Sequence, residues 1–136
     1  MAPSLARIDH IHVYVAKRSE SQAWYERVFG LTKVAELEHW AGDGGPLTLA
    51  DGAGRVHIAL FEREPQPCRS TIALGVDGAE FIVWRAHLTA ELPAPPKIED
   101  HGLSWSLYFA DPDGNPYEIT TYEYAAVAAG LKAVAA

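Results

Sequence analysis

The chain predicts an α+β fold made of two copies of one βαβββ module. Three observations lead there. Short runs alternate apolar and polar residues between clusters of Gly, Asp and Pro, as half-buried strands do. Two segments with helical spacing each follow such a run. The whole order then occurs twice, in residues 7 to 63 and again in residues 69 to 123, before an Ala-rich helical tail at 124 to 134. A sequential repeat of one supersecondary unit predicts two modules packed about a pseudo-twofold axis. At 136 residues they make one domain, 1 to 136.

The first strand, RIDHIHVYV at 7 to 15, sets Ile8, Ile11, Val13 and Val15 against Asp9, His10, His12 and Tyr14. Ser19 with Gln22 reads as a capping box that opens a helix. Trp24, Val28 and Leu31 form its apolar stripe, and Gly30 is placed to end it. Strands are predicted at 33 to 39, 46 to 50 and 55 to 62, with AGDGG and DGAG as turns. In the second module, 70 to 76 reads as a strand. Asp77 with Glu80 caps a helix carrying Phe81, Trp84 and Leu88, which LPAPP at 92 to 96 stops. Strands follow at 97 to 99, 103 to 110 and 115 to 122. Asp111-Pro112-Asp113-Gly114 makes a type I turn between the last two and carries no chemistry.

Charge and cysteine usage exclude several functions. Eleven Lys and Arg are scattered among 18 Asp and Glu, for a net charge of −7. Nucleic-acid binding needs a concentrated basic face, so it is not expected. A single cysteine, Cys68, excludes an internal disulfide and a Cys-based zinc site, and reads as a plain residue between modules. No apolar run approaches the roughly 20 residues that span a bilayer. The N-terminus lacks a secretory pattern, so the expected location is cytoplasmic. GDGG at 42 to 45 lacks the Lys and the helix of a phosphate loop.

The polar faces hold the candidate site. His10, His12 and Tyr14 share one face of the first strand; Glu118, Thr120 and Tyr122 share one face of the last. Glu118 is either an acid on a wet face or a carboxylate aimed into a cavity. An imidazole and a carboxylate suit Fe, Mn, Co, Ni or Zn. Strand rise sets His12 roughly 6–7 Å from His10, too far for comfortable shared ligation and near enough to touch a substrate. Ser104, Ser106 and Tyr108 alternate on the strand before the last hairpin and can bond a substrate carbonyl or phenol. Trp40, Trp105 and Phe61 are candidates for an apolar wall. Trp24 and Trp84 read as core, and His39, His87 and His101 as surface or turn residues.

This order, with WYERVFGL in the first helix and YFADPDGNPYEI in the last hairpin, resembles the vicinal oxygen chelate superfamily, which includes glyoxalase I, extradiol dioxygenases and bleomycin-binding proteins. The resemblance covers about residues 7 to 123. It implies a glyoxalase/bleomycin-resistance-like sheet curled around a cavity, and a divalent metal presented to two neighbouring substrate oxygens. Ligands in such proteins come from four related strand positions. The resemblance places these at His10, Thr71, Ala59 and Glu118, of which Thr71 and Ala59 depart from the pattern.

His10 and Glu118 are therefore the expected metal ligands. Glu118, His12 and His57, the last sharing a face with Ala59, are the expected proton-transfer groups. Tyr14, Thr71, Ser106, Tyr108 and Thr120 are expected to contact substrate. The implied activity is a metal-dependent lyase, isomerase or dioxygenase acting on a small molecule. The lack of an evident second His ligand counts against the dioxygenase form, and the lack of a basic cluster counts against transfer to fosfomycin. The alternative is a metal-free, drug-sequestering protein with no cofactor. A homodimer is expected from the short chain.

Overall fold

The computed structural model describes residues 1–66 and 68–135. The chain divides into two compact units, residues 1–66 and 67–136, each with its own unclosed four-stranded mixed sheet.

In the first unit, β1 (Ile11–Val15) is followed by α1 (Arg18–Phe29), β2 (Thr32–Lys33), a 3₁₀ segment (Ala35–Asp43), β3 (Leu47–Ala50) and β4 (His57–Glu62). The sheet order is β1-β4-β3-β2, with β1 parallel to β4 and the other pairs antiparallel. Alternation then sorts the side chains. Val13, Val15, Ile58 and Leu60 are buried with Trp24, Tyr25 and Val28 of α1. Each fully buried aliphatic chain contributes about 1.5–3 kcal/mol. His12, Ala59 and Thr48 lie in register on the opposite face.

The structure corrects three expectations here. The strand predicted over 33 to 39 is two residues of β2 and then 3₁₀ helix. Its Ala, Glu and Leu residues favour helical backbone, and Leu37 N–H turns back to the Val34 carbonyl at 3.0 Å. The capping box at Ser19 does not form. The N-cap is Lys17, two residues earlier, and it makes no side-chain cap. A carboxylate from β4 serves instead: Glu62 Oε2 accepts from Arg18 N–H at 2.9 Å. Gln22 donates to Glu26 at 3.1 Å. The first strand also starts at Ile11, so His10 stands just ahead of it. Gly30 does end α1 in the left-handed region, at φ 69°. Leu31, predicted on the helix stripe, is buried just beyond it.

In the second unit, β5 (Ile72–Gly75), α2 (Gly78–Glu91), β6 (Lys97–Asp100), β7 (Trp105–Ala110), β8 (Pro116–Thr121) and α3 (Tyr124–Ala135) follow in order. The sheet runs β5-β8-β7-β6, with β5 parallel to β8. Leu107, Tyr117 and Ile119 are buried, as are Phe81 and Leu88 of α2 and Val127 of α3. Asp77 caps α2 as predicted, accepting from Glu80 N–H at 2.8 Å. The Ala-rich tail is docked on α2. A Cβ added at Gly130 would stand 3.0 Å from Ile82, so glycine permits this close approach.

The turn before β8 is built around a buried acid. Asp111 Oδ1 accepts from the Asp113 and Asn115 N–H groups, both at 2.9 Å, and Oδ2 accepts from Asn115 Nδ2 at 2.9 Å. Asn115 Oδ1 in turn accepts from Cys68 N–H at 3.1 Å. Asn115 therefore belongs to the turn rather than to the strand predicted from 115, and β8 starts at Pro116. The side chains of Asp111 and Asn115 serve the fold, by tying the hairpin to the unit's opening segment.

Candidate functional site

Each unit presents a polar sheet face, and each is described by itself. In the first unit the face borders a pocket of about 250 Å³. Asp9, His10, His57 and Thr48 supply its polar lining, and Ala59 is on its floor. Leu37, Trp40 and Pro46 form the apolar wall. The 3₁₀ segment carries Leu37 and Trp40 to this position. Arg18 pins the end of that segment, donating to the Ala41 and Gly45 carbonyls at 3.1 Å each.

His10 is held from both sides. Its Nδ1 lies 2.8 Å from Asp9 Oδ2 and its Nε2 lies 3.1 Å from His12 Nε2. The Asp9 carboxyl sits below its ordinary range, chiefly because it bonds His10; the neighbouring Arg7 acts in the same direction, against desolvation. Arg7 also pairs with Asp9 at 3.2 Å. A carboxylate on Nδ1 fixes that nitrogen as the donor and leaves the Nε2 lone pair for another partner. The sequence-based spacing of His12 is corrected. The two rings stack with centroids 5.0 Å apart, and their nitrogens approach to contact. His10 lies outside the strand, so its ring can lean towards His12 in a way that strand rise alone does not capture.

His12 rests against Phe61, with ring centroids 4.7 Å apart. Tyr14 meets Phe61 edge-on at 6.0 Å, and the Arg63 guanidinium lies over both rings. Phe61 thus lies on the polar face between His12 and Tyr14, and Trp40 rather than Phe61 lines the pocket.

In the second unit Glu118 is half-buried on the sheet face opposite Tyr117 and Ile119. Ser106 donates to Glu118 Oε1 at 2.6 Å and lies 3.2 Å from Thr120 Oγ1. Tyr108 stands opposite Glu118 in register, and its hydroxyl is 3.1 Å from His101 Nε2. His101, expected as a plain surface or turn residue, is thus tied to this polar face. Thr71 is exposed just ahead of β5. Three expectations shift. Trp105 donates through Nε1 to the Tyr124 carbonyl at 3.2 Å and stacks on Tyr124, so α3 takes it away from the polar face. Tyr122 lies beyond β8 and is 80% exposed. Ser104, expected within the strand predicted from 103, stands ahead of β7, its carbonyl accepting from His101 N–H at 2.9 Å.

The structure therefore brings His10, His12 and His57 onto one polar face, and Ser106, Tyr108, Glu118 and Thr120 onto another. Asp9, Thr48, Leu37 and His101 are partners that the sequence did not single out. For Asp9 a signal existed, an acid directly before a strand histidine. The donor chemistry of the first face fits a divalent ion, with one imidazole oriented by a carboxylate and a second within reach. Among the described residues no group of three or more His, Cys, Asp or Glu is placed to hold one. No helix among them is long and apolar enough to cross a membrane.

Comparison with known proteins adds the family. The profile described as Glyoxalase/Bleomycin resistance protein/Dioxygenase superfamily matches residues 7–119. No curated protein matches the chain. Among solved structures, the fold is similar to a lactoylglutathione lyase from Agrobacterium tumefaciens, with TM-score 0.67, 23% identity and coverage of 87% of this chain and 95% of that one. It is similar to a glyoxalase/dioxygenase from Nostoc punctiforme, with TM-score 0.64, 20% identity and coverage of 90% and 98%. It is also similar to the fosfomycin resistance protein FosX from Listeria monocytogenes, solved with Mn(II) and sulfate, with TM-score 0.65, 15% identity and coverage of 94% and 99%. Paired mixed sheets, repeated modules and a profile match over most of the chain lead to one conclusion: this protein belongs to the glyoxalase/bleomycin resistance/dioxygenase superfamily.

Proposed function

We propose that the protein is a divalent-metal-dependent enzyme that acts on a small oxygenated molecule as a lyase, isomerase or dioxygenase. The observation that carries this reading is His10, held by Asp9 at 2.8 Å and facing a pocket of about 250 Å³. His10 is the metal-ligand candidate of the first unit. Glu118, steadied by Ser106, is the candidate ligand or proton acceptor of the second. A divalent ion, when bound, supplies Lewis acidity towards a substrate oxygen. The chain's own groups do the rest. Trp40 and Leu37 give the pocket an apolar wall for the substrate's carbon skeleton, and His57 on its lining is placed to accept a substrate proton. Tyr14, Thr71, Tyr108 and Thr120 remain candidates for substrate contact. The solved Mn(II) complex of FosX and the lyase from Agrobacterium tumefaciens support the direction of this reading.

The second reading is a metal-free binding protein. It is favoured by Ala59 and Thr71, which offer no imidazole or carboxylate at two positions where the family resemblance places ligands. Elemental analysis and calorimetric titration with Fe(II), Mn(II), Ni(II) and Zn(II) separate the two. The metal reading expects about one ion per chain at a Kd below about 10 μM, roughly 7 kcal/mol of binding free energy. No binding tighter than about 1 mM (about 4 kcal/mol) leaves the binding-protein reading, which then expects thermal stabilisation by a small ligand without metal. We also propose a cytoplasmic homodimer. Light scattering would read twice the 14.8 kDa chain mass if the assembly is right and the single mass if it is wrong.

A further inference from the structure

We infer that His10 and His12 form a two-imidazole chelate, so that His12 supplies the second nitrogen ligand that Thr71 and Ala59 cannot. The inference rests on the metal-centre reading above and adds a ligand to it. Geometry carries it. The two Nε2 atoms are 3.1 Å apart, the separation adopted by two ligands that each lie about 2.0–2.1 Å from one ion at close to a right angle. Both rings are oriented by other groups. His10 is held through Nδ1 by Asp9, and His12 lies against the Phe61 ring. The His10 side chain is 45% exposed, so an ion and its waters have access.

The same contact describes the ion-free state. With His10 Nδ1–H donating to Asp9, the Nε2 lone pair of His10 accepts from Nε2–H of His12. With an ion bound, the His12 proton would move from Nε2 to its own Nδ1, by exchange through solvent. Two lone pairs then face the ion. Each imidazole remains neutral, as nitrogen ligands must be. Asp9 keeps its bond to His10 throughout, as an outer-sphere partner that orients the ligand.

The test uses the full chain labelled with ¹⁵N-histidine and titrated with Zn(II). Long-range ¹H–¹⁵N spectra should show the Nε2 resonances of both His10 and His12 moving together to metal-bound positions. His12→Ala and His12→Gln should each weaken Zn(II) at least about tenfold, the low end of what loss of even an outer-sphere partner costs. Both variants alter an exposed side chain, and circular dichroism would confirm their fold. If Zn(II) binds tightly, shifts His10 alone and is indifferent to both variants, the chelate is wrong and the metal-centre reading stands. If wild type binds nothing tighter than about 1 mM, the metal-centre reading fails and takes the chelate with it.

Discussion

The His10→Ala variant is expected to bind divalent ions at least about 100-fold more weakly than wild type, a loss of about 2.7 kcal/mol or more. The fold should barely register the change. His10 is exposed, stands ahead of β1 and contributes nothing to the buried face, so its unfolding free energy should stay within about 0.5 kcal/mol of wild type. Asp9→Asn should give a graded result. The amide oxygen can still accept from His10 Nδ1, but without the carboxylate's charge, and loss of such a partner typically costs 10–100-fold in affinity. Calorimetric titration of Mn(II) and Zn(II) into the three proteins reads both effects. Equal affinity in wild type and His10→Ala would remove His10 from any metal site.

Asp111→Ala should destabilise the protein by about 3 kcal/mol or more, without a direct effect on the polar face around His10. Asp111 is 5% exposed, and its carboxylate accepts from Asp113 N–H, Asn115 N–H and Asn115 Nδ2. Truncation strands these donors in a place that water reaches poorly. Bonds to a charged acceptor are worth about 1.5–3 kcal/mol each in net terms, and the remaining groups relax only partly. Asn115→Ala should cost less, because the Asp111 backbone bonds survive while Cys68 N–H loses its side-chain acceptor. Urea unfolding followed by fluorescence measures both. A loss below about 1 kcal/mol for Asp111→Ala would show that the backbone turn holds itself without the carboxylate.

The two modules were legible because their strands obey a period of two that only one geometry satisfies. Val13 and Val15 are buried where alternation puts them, and Tyr117 and Ile119 likewise. The polar faces were legible for the same reason, so His12, Glu118 and Thr120 fell on the expected side, while His10 stands ahead of its strand. What failed depended on contacts distant in sequence. The helix start at Arg18 is met by Glu62 from β4, which no local capping pattern reveals. The 3₁₀ segment over Ala35–Asp43 is short and mixed in polarity, so its residues read equally well as a strand, and Leu37 was missed as the neighbour of Trp40 on the pocket wall. The approach of His12 to His10 was missed because strand rise describes backbones, whereas ring nitrogens can converge by rotating side chains. Trp105 was assigned no definite face because the docking of α3, which claims its indole, has no signature in the strand itself.

The pairing of β1 has a consequence for how the protein assembles. β3 and β4 are neighbours in sequence and pair antiparallel, so a short loop closure suffices to join them. β1 joins the same sheet only by parallel pairing with β4, whose residues lie at the far end of the unit's sequence. β5 meets β8 in the same way. Non-local parallel contacts are slow to gain, because the chain must be ordered over a long span before they contribute. The strand beside which His10 stands is therefore expected to join a sheet already begun without it. A refolding chain is expected to place His57 with the β3–β4 hairpin first, and to bring His10 and His12 beside it only when β1 pairs.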